Sequence, residues 1–443
     1  MSKPKLKRFL SAAMCLVMLA MCVSCSGKGG SAKGTAADPS SAISGASSAA
    51  DSGSGVVAPT GGAASSQSGD AFDNVPPAPK AFITPAVKGL TPVGADARYG
   101  RRKLSEMSNS TALLNVYDRV VASVAACQAY IIINPNNDPK LFITEAEICK
   151  VLLYYKSDYP QSFWLNTNNR EGLIKSEYSD INNGEIFAIW LDMFLTATEV
   201  KVLQAEFDAA VAEILDGITD SWSEYDREKT IHDRLLARVE YTKDTDNPRN
   251  SYGALVDKKC VCVGYAKAFQ YLCYQAGIQC LYVSGMADYE IDPSLITYAN
   301  HVWNIVKLDG KYYQVDPTWD DAGDSDFYYS YFNMSDKLMR PTHIVDEKNT
   351  YPLPKCDSLD MSYYTKNSAF ISKPYSLAKI AAAVRSGKCG KDTAYIYVYD
   401  TDGFEEWFFD DNFKTIAKMA GINQFTKAEC RVFGNEAYIH YCR

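Results

Sequence analysis

Apolar positions along the chain switch between helical and strand spacing, and these switches divide it into elements. Folded structure is predicted to begin near Leu104, where Leu113, Leu114, Tyr117, Val120, Val121 and Val124 recur at helical spacing. Thr144-Glu-Ala-Glu147 is a capping box that opens a second helix through Ile148, Val151, Leu152 and Tyr155. Thr196-Ala-Thr-Glu199 opens a third, with Leu203, Phe207, Val211 and Leu215 on its apolar face and Gly217 as its stop. Residues 185–193, between the second and third helices, form a continuous apolar run that predicts a buried strand. Ser223 begins a further helix whose inward face is Ile231, Leu235 and Val239 and which is predicted to end near Tyr241, with His232 facing solvent.

The next stretch has the sharpest pattern. After Cys262, the residues Tyr265, Phe269, Leu272, Cys273 and Ala276 fall on one helical stripe that Gly277 can end in a left-handed cap. Residues 301–308 and 311–318 alternate as two strands joined by Asp309-Gly310, a pair suited to a type I′ turn. A two-residue loop sets Leu308 opposite Lys311, Trp303 opposite Asp316 and His301 opposite Thr318. His301 and Asp316 then share a face as diagonal neighbours roughly 7–8 Å apart at the backbone. Val302, Val306, Leu308, Tyr313 and Val315 form the core face. Residues 286–299 are an insertion carrying Asp288, Glu290, Asp292, Tyr289 and Tyr298, either flanking a cleft or forming a surface loop. Residues 327–332 are predicted to return to the sheet as a strand. Asp320, Asp321, Asp324 and Asp326 lack an EF-hand pattern, so a solvated loop is expected rather than a calcium site. Beyond Pro354 the pattern is helix 376–385, strand 394–399, helix 412–420 and strand 430–442, a small α/β module in which His440 has no evident partner.

Composition separates the ends from this body. Lys3, Lys5, Lys7 and Arg8 precede an apolar run over 9–23, which has the length of a secretory signal core. Ser24-Cys25 resembles a bacterial lipoprotein cleavage site, so Cys25 is the expected lipidation site. Residues 26–74 are mostly Ser, Gly and Ala and cannot bury a core, which predicts a flexible tether. The expected division is a signal peptide over 1–24, a tether over 25–100, a mainly helical region over 101–220, a catalytic core over 221–352 and the C-terminal module over 353–443. A net charge of −8 on 443 residues argues against nucleic acid as a partner. The 13 cysteines are not spaced as a disulfide framework. Cys389, Cys430 and Cys442 are the expected candidates if any pair.

Cys262, His301 and Asp316 supply a thiol, an imidazole and a carboxylate in that order. A thiol is a useful nucleophile only as thiolate, which a helix N-terminus and a neighbouring imidazolium both favour, and the imidazole needs a third group to fix its tautomer. Helix N–H groups beside Cys262 can also hold a developing oxyanion, and Gly264 lets a backbone or substrate come close. A zinc site built from Cys260, Cys262, Cys273 and His301 is the competing arrangement. Its Cys-x-Cys spacing departs from the usual ligand pattern.

Val261-Cys262-Val-Gly264-Tyr265-Ala266 with Phe269, then His301-Val-Trp303-Asn304, Asp309-Gly310-Lys-Tyr-Tyr and Val315-Asp316-Pro317-Thr-Trp319-Asp320, resemble the transglutaminase-like superfamily in order and spacing over 225–332. The resemblance implies an α+β, papain-like core in which the cysteine helix packs on an antiparallel sheet bearing His and Asp. It implies a catalytic triad at Cys262, His301 and Asp316, with Gly264, Tyr265, Trp303 and Trp319 at the substrate. Acyl transfer at amide bonds through a Cys262 thioester is expected, without metal or cofactor. Val263 stands where animal cross-linking enzymes carry Trp and resembles the bacterial branch, so a peptidase or amidase is favoured. The alternatives are glutamine transamidation and a non-catalytic peptide-binding module. The expected setting is the outer face of a bacterial cytoplasmic membrane, with a peptide or protein substrate such as a cell-wall peptide.

Overall fold

Both capping boxes form as the sequence predicts, and they start two of the helices that lead to the core. The computed structural model describes residues 87–166, 173–178, 185–288, 299–321, 329–347, 350–367, 369–386, 391–433 and 436–442. The signal, Cys25 and most of the tether lie outside these residues, as do residues 289–298 of the insertion, Asp324, Asp326 and Cys389. No helix among the described residues is long and apolar enough to cross a membrane.

Order begins earlier than Leu104: Leu90 is buried, and α1 (Tyr99–Ser105) precedes α2 (Ser110–Ala125). The short strand β1 (Tyr130–Ile132) leads to α3 (Glu145–Asp158), capped by Thr144 and Glu147. Strands β2 (Leu173–Tyr178) and β3 (Ile186–Leu191) join β1 in a three-stranded sheet of order β1-β3-β2. Next come α4 (Ala197–Leu215), capped by Thr196 and Glu199, and α5 (Glu224–Leu236), capped by Ser223. The last helix ends before the expected Tyr241, because β4 (Glu240–Tyr241) pairs in parallel with β5 (Lys259–Cys260). His232 is fully buried rather than solvent-facing, since its ring is held between Asp233 and Asp320.

Helix α6 (Cys262–Gln275) starts at the cysteine and gives way to Gly277 at φ +75°. The expected single apolar stripe is an understatement, because every α6 residue except Val263 is buried. Its polar groups are met by other segments. Gln270 Nε2 donates to the Ser157 carbonyl at 2.6 Å and to the Cys280 carbonyl at 3.0 Å. Arg227 Nη1 donates to the Ala276 carbonyl at 2.6 Å, a cation at a helix C-terminus. Asp158 stands at the end of α3 and accepts from the Gly100 and Arg101 N–H groups and from the Tyr117 hydroxyl. The Arg98 guanidinium lies 3.7 Å from the centre of the Tyr274 ring. The helices before the core thereby hold α6 in place.

The sheet next to α6 has the order β8-β7-β6-β9 and is antiparallel throughout. It comprises β6 (Gln279–Ala287), β7 (His301–Leu308), β8 (Lys311–Val315) and β9 (His343–Val345). Leu308 pairs with Lys311, and Asp309 and Gly310 have φ of 46° and 81°, both positive as a type I′ turn requires. β8 stops at Val315 instead of running to Thr318. Asp316 caps a short helix, α7 (Pro317–Asp320), whose first residue is a proline with no N–H to give a ladder. Both faces of β7 are covered, with only Lys307 partly exposed, so the expected one-sided core does not hold. Asn304 Nδ2 ties it to α6 and β6 through the Ala266 and Leu281 carbonyls. Residues 329–332 form turns rather than a strand, and β9 takes the edge beside β6. Asp320 is buried, not solvated.

Short helices α8 (Asp336–Met339) and α9 (Tyr363–Lys366) lead to the last sheet, of order β10-β11-β13-β12. Its strands are β10 (Phe370–Ile371), β11 (Thr393–Val398), β12 (Lys427–Phe433) and β13 (Glu436–Cys442), with α10 (Leu377–Ser386), α11 (Phe404–Trp407) and α12 (Phe413–Met419) between them. The expected strand over 430–442 is thus a hairpin, a signal carried by the Gly434-Asn435 pair in the sequence. Cys430 and Cys442 are free thiols, as is every cysteine among the described residues. His440 Nδ1 is 2.8 Å from the Thr393 hydroxyl. One hydrophobic cluster runs from Leu90 to Tyr441.

Gly264 explains a constraint beside Cys262. A Cβ there would overlap the Cys260 side chain, so the close approach is made by a buried thiol and not by a ligand. Gly264→Ala is expected to destabilise the fold by about 1–3 kcal/mol through overpacking. Cys260→Ala in the same chain should return part of that loss, as read by denaturant unfolding of the two single variants and the double; strictly additive losses would contradict the contact.

Candidate active site

Three elements converge on the site. Cys262 is the first residue of α6, preceded by Val261 in extended conformation, and it is 7% exposed. Its surroundings are apolar: Ala266, Tyr282 and Val302 cluster with it, and Val263 packs against them. The leading N–H groups of a helix have no intrahelical partners. The dipole of α6 therefore puts partial positive charge at the end of the helix where the sulfur sits.

His301 opens β7 and is 2% exposed. Its Nε2 lies 2.5 Å from Asp316 Oδ2. Nδ1, on the other side of the ring, is buried with no hydrogen bond of normal geometry, and the Cys262 thiol is the neighbour that strengthens its hold on a proton. Burial opposes a charge on the ring. The charge and hydrogen bond of Asp316, with the thiol beside it, outweigh that cost and push the His301 pKa up to about 10.

Asp316 has no exposed surface. Oδ1 accepts from the Thr318 and Trp319 N–H groups at 2.9 and 3.2 Å. Oδ2 serves His301 and also His343, whose Nε2 is 3.0 Å away. Burial favours the neutral acid, but the two imidazoles outweigh it and hold this carboxyl well below the usual carboxylate range. His343 comes from β9, and its Nδ1 is 2.8 Å from the Thr342 hydroxyl. It is not among the residues that the sequence pattern singles out. With four histidines in the whole chain, the alternation His343-Ile-Val345 was the available signal.

The His301 and Asp316 atoms are closer than two ligands on one zinc ion, which stand about 3.3 Å apart when each bond is about 2 Å. Hydrogen bonding accounts for the grouping. The other zinc arrangement does not assemble, because eleven residues of helix separate Cys273 from Cys262 by about 16 Å; Cys273 instead hydrogen-bonds with Cys280.

Other residues expected at the substrate take structural positions. The Tyr265 hydroxyl donates to the Val239 carbonyl and to Asp321, and the ring is fully buried. Trp303 is buried, its Nε1 donating to Gln314 Oε1 at 2.8 Å. Trp319 keeps partial exposure and lies 6.1 Å from the His301 ring, centre to centre.

A thiol at a helix start, an imidazole beside it and a buried carboxylate behind the imidazole match a known architecture. Residues 210–317 fit the model of the transglutaminase-like superfamily. The chain carries a transglutaminase-like domain. Its curated relatives include the kyphoscoliosis peptidases of Mus musculus, 27% identical over 176 residues, and Homo sapiens, 27% identical over 185. These alignments cover 35% and 38% of this chain and 27% of each relative, so the chain spans about a quarter of the relatives' length. Among solved structures, one described as a TGase overlaps 58% of this chain and 63% of its own length at 13% identity and a TM-score of 0.24. Within the transglutaminase-like domain, Asp316 stands at the edge of the matched span, and His343 lies beyond it.

Protonation of His301 is linked to stability. A folded-state pKa raised to about 10 means a contribution fully present below the free imidazole value of about 6.5 and lost as pH rises through about 10. Calorimetry should show the thermal midpoint falling several degrees further between pH 7 and pH 10 in the parent protein than in His301→Gln. Parallel slopes would contradict the assignment.

Proposed function

We propose that the domain cleaves amide bonds through a thioester on Cys262, with water as the acceptor. The observation that carries this reading is the placement of His301, hydrogen-bonded to Asp316 through Nε2 and with the Cys262 thiol among the groups that raise its pKa. The thiolate adds to the amide carbonyl, and the N–H groups at the start of α6 receive the developing oxyanion. His301 gives its Nδ1 proton to the departing nitrogen, the C–N bond breaks and an amine leaves. Water then attacks the thioester while His301 takes its proton, which releases the acid and restores the thiolate. Asp316 keeps the ring oriented throughout and stabilises its charge whenever the imidazolium forms.

The name peptidase on the mammalian relatives supports hydrolysis over transamidation. We further propose that Cys25 is lipidated and that the tether holds the domain at the outer face of a bacterial membrane, where peptides of the cell wall are within reach.

A peptide mixture incubated with the purified protein in oxygen-18 water, with a primary amine present, separates the outcomes by mass. Labelled carboxyl termini are expected, reduced at least about a thousandfold in Cys262→Ala. Amine incorporation without label would replace hydrolysis by transamidation. No product from either route would overturn the enzymatic reading.

A further inference from the structure

The feature that the proposed chemistry does not use is His343. Its ring is fully buried, yet both of its nitrogens have polar partners: Nε2 faces Asp316 Oδ2 at 3.0 Å and Nδ1 faces the Thr342 hydroxyl at 2.8 Å. Aromatic rings surround it, with centres 5.1 Å away at Trp303, 4.7 Å at Trp319 and 5.2 Å at Tyr331. The His301 ring centre is 5.7 Å away. A side chain present only for packing would need none of these polar contacts, and an imidazole without partners would be costly there.

We infer that His343 is a positioning residue for the triad, a neutral second imidazole whose N–H fixes the carboxylate that orients His301. The inference rests on the triad proposed above. The partners set the tautomer. Asp316 is an ionised carboxylate that can only accept, so the proton of the neutral ring sits on Nε2 and points at it, which leaves Nδ1 as an acceptor facing the Thr342 hydroxyl, itself also within 3.2 Å of the Met339 carbonyl. Burial disfavours a charge on this ring, and although Asp316 acts the other way, the nearby His301 adds to the effect of burial, so the His343 pKa is lowered. The charged and titratable groups facing His343 are therefore Asp316 and His301, with the Tyr331 ring beside them. A neutral His343 supplies a hydrogen bond without competing for the negative charge of Asp316, which stays available to the His301 imidazolium. Oδ2 receives two N–H donors from opposite strands of the sheet and Oδ1 two from the backbone, leaving the carboxylate no second orientation. Because β9 follows the matched family span in the chain, this support comes from a separate segment folding back onto the triad.

The test is the rate of iodoacetamide alkylation at Cys262 between pH 5 and pH 9, mapped by mass spectrometry in the parent protein, His343→Leu and His343→Gln. The parent rate should stay high well below the ordinary thiol value of about 8.5. In His343→Leu the rate at pH 6 should fall about tenfold or more and the profile should move toward that value, as expected for losing a hydrogen bond to a charged group. His343→Gln, whose amide N–H can still reach Asp316, should recover to within about threefold of the parent. A plateau retained in His343→Leu, or an equal fall in both variants, would overturn the inference. Should His343→Leu not fold, His343→Phe keeps a ring among the aromatic neighbours but has no N–H: a fall of the same kind supports the inference, and an unchanged profile overturns it. A parent profile that rises only near the thiol value would instead remove the proposed triad itself.

Discussion

A carboxylate with no exposed surface governs the geometry of this protein. Burying an unpaired charge costs several kcal/mol or more, so Asp316 is tolerable only where its oxygens are fully used. Two backbone N–H groups and two imidazoles use them. This requirement ends β8 at Val315, starts a helix at Pro317 and brings β9 to the edge of the sheet. The same contacts keep His301 charged beside Cys262. Stability and reactivity thus depend on the same atoms.

Cys262 is fixed by a different means. Helix α6 is enclosed on nearly all sides, so its position is set by what surrounds it more than by its own amphipathic face. Asp158 collects the start of α1, Arg98 stacks on Tyr274, and Gln270 reaches the end of α3. The helical segments ahead of the core are therefore part of the site's framework. A second buried polar group stands close by. Burial opposes a charge on His232, but Asp233 and Asp320 outweigh it and raise its pKa to about 9, while burial drives Glu228 up to about 8 beside Asn333. Asp320 lies four residues beyond Asp316, so the two networks meet at the short helix α7.

Local signals were read well from the sequence, and long-range ones were not. The capping residues Thr144, Thr196 and Ser223, the positive-φ pair Asp309-Gly310 and the Cys262 helix start each depend on neighbours a few positions away. The order Cys, His, Asp with its flanking motif was legible for the same reason. His343 was missed because its meaning depends on a partner 27 residues earlier across a sheet. His232 was misjudged because its acid partner is 88 residues away. Gly264 seemed to make room for a ligand, whereas the room is filled by Cys260. Amphipathic patterning assumes a wet face, and it failed for β7 and α6, where both sides are covered.

At neutral pH His301 is an imidazolium beside Asp316 and the Cys262 sulfur. Nitrogen-15 NMR of histidine-labelled protein, with the His301 signals assigned by their loss in His301→Gln, tests it most directly. Two protonated ring nitrogens are expected on His301 throughout pH 6 to 8.5, with the charge weakened in Cys262→Ala. A His301 ring that titrates near the free value of about 6.5 and ignores the Cys262 substitution would contradict it.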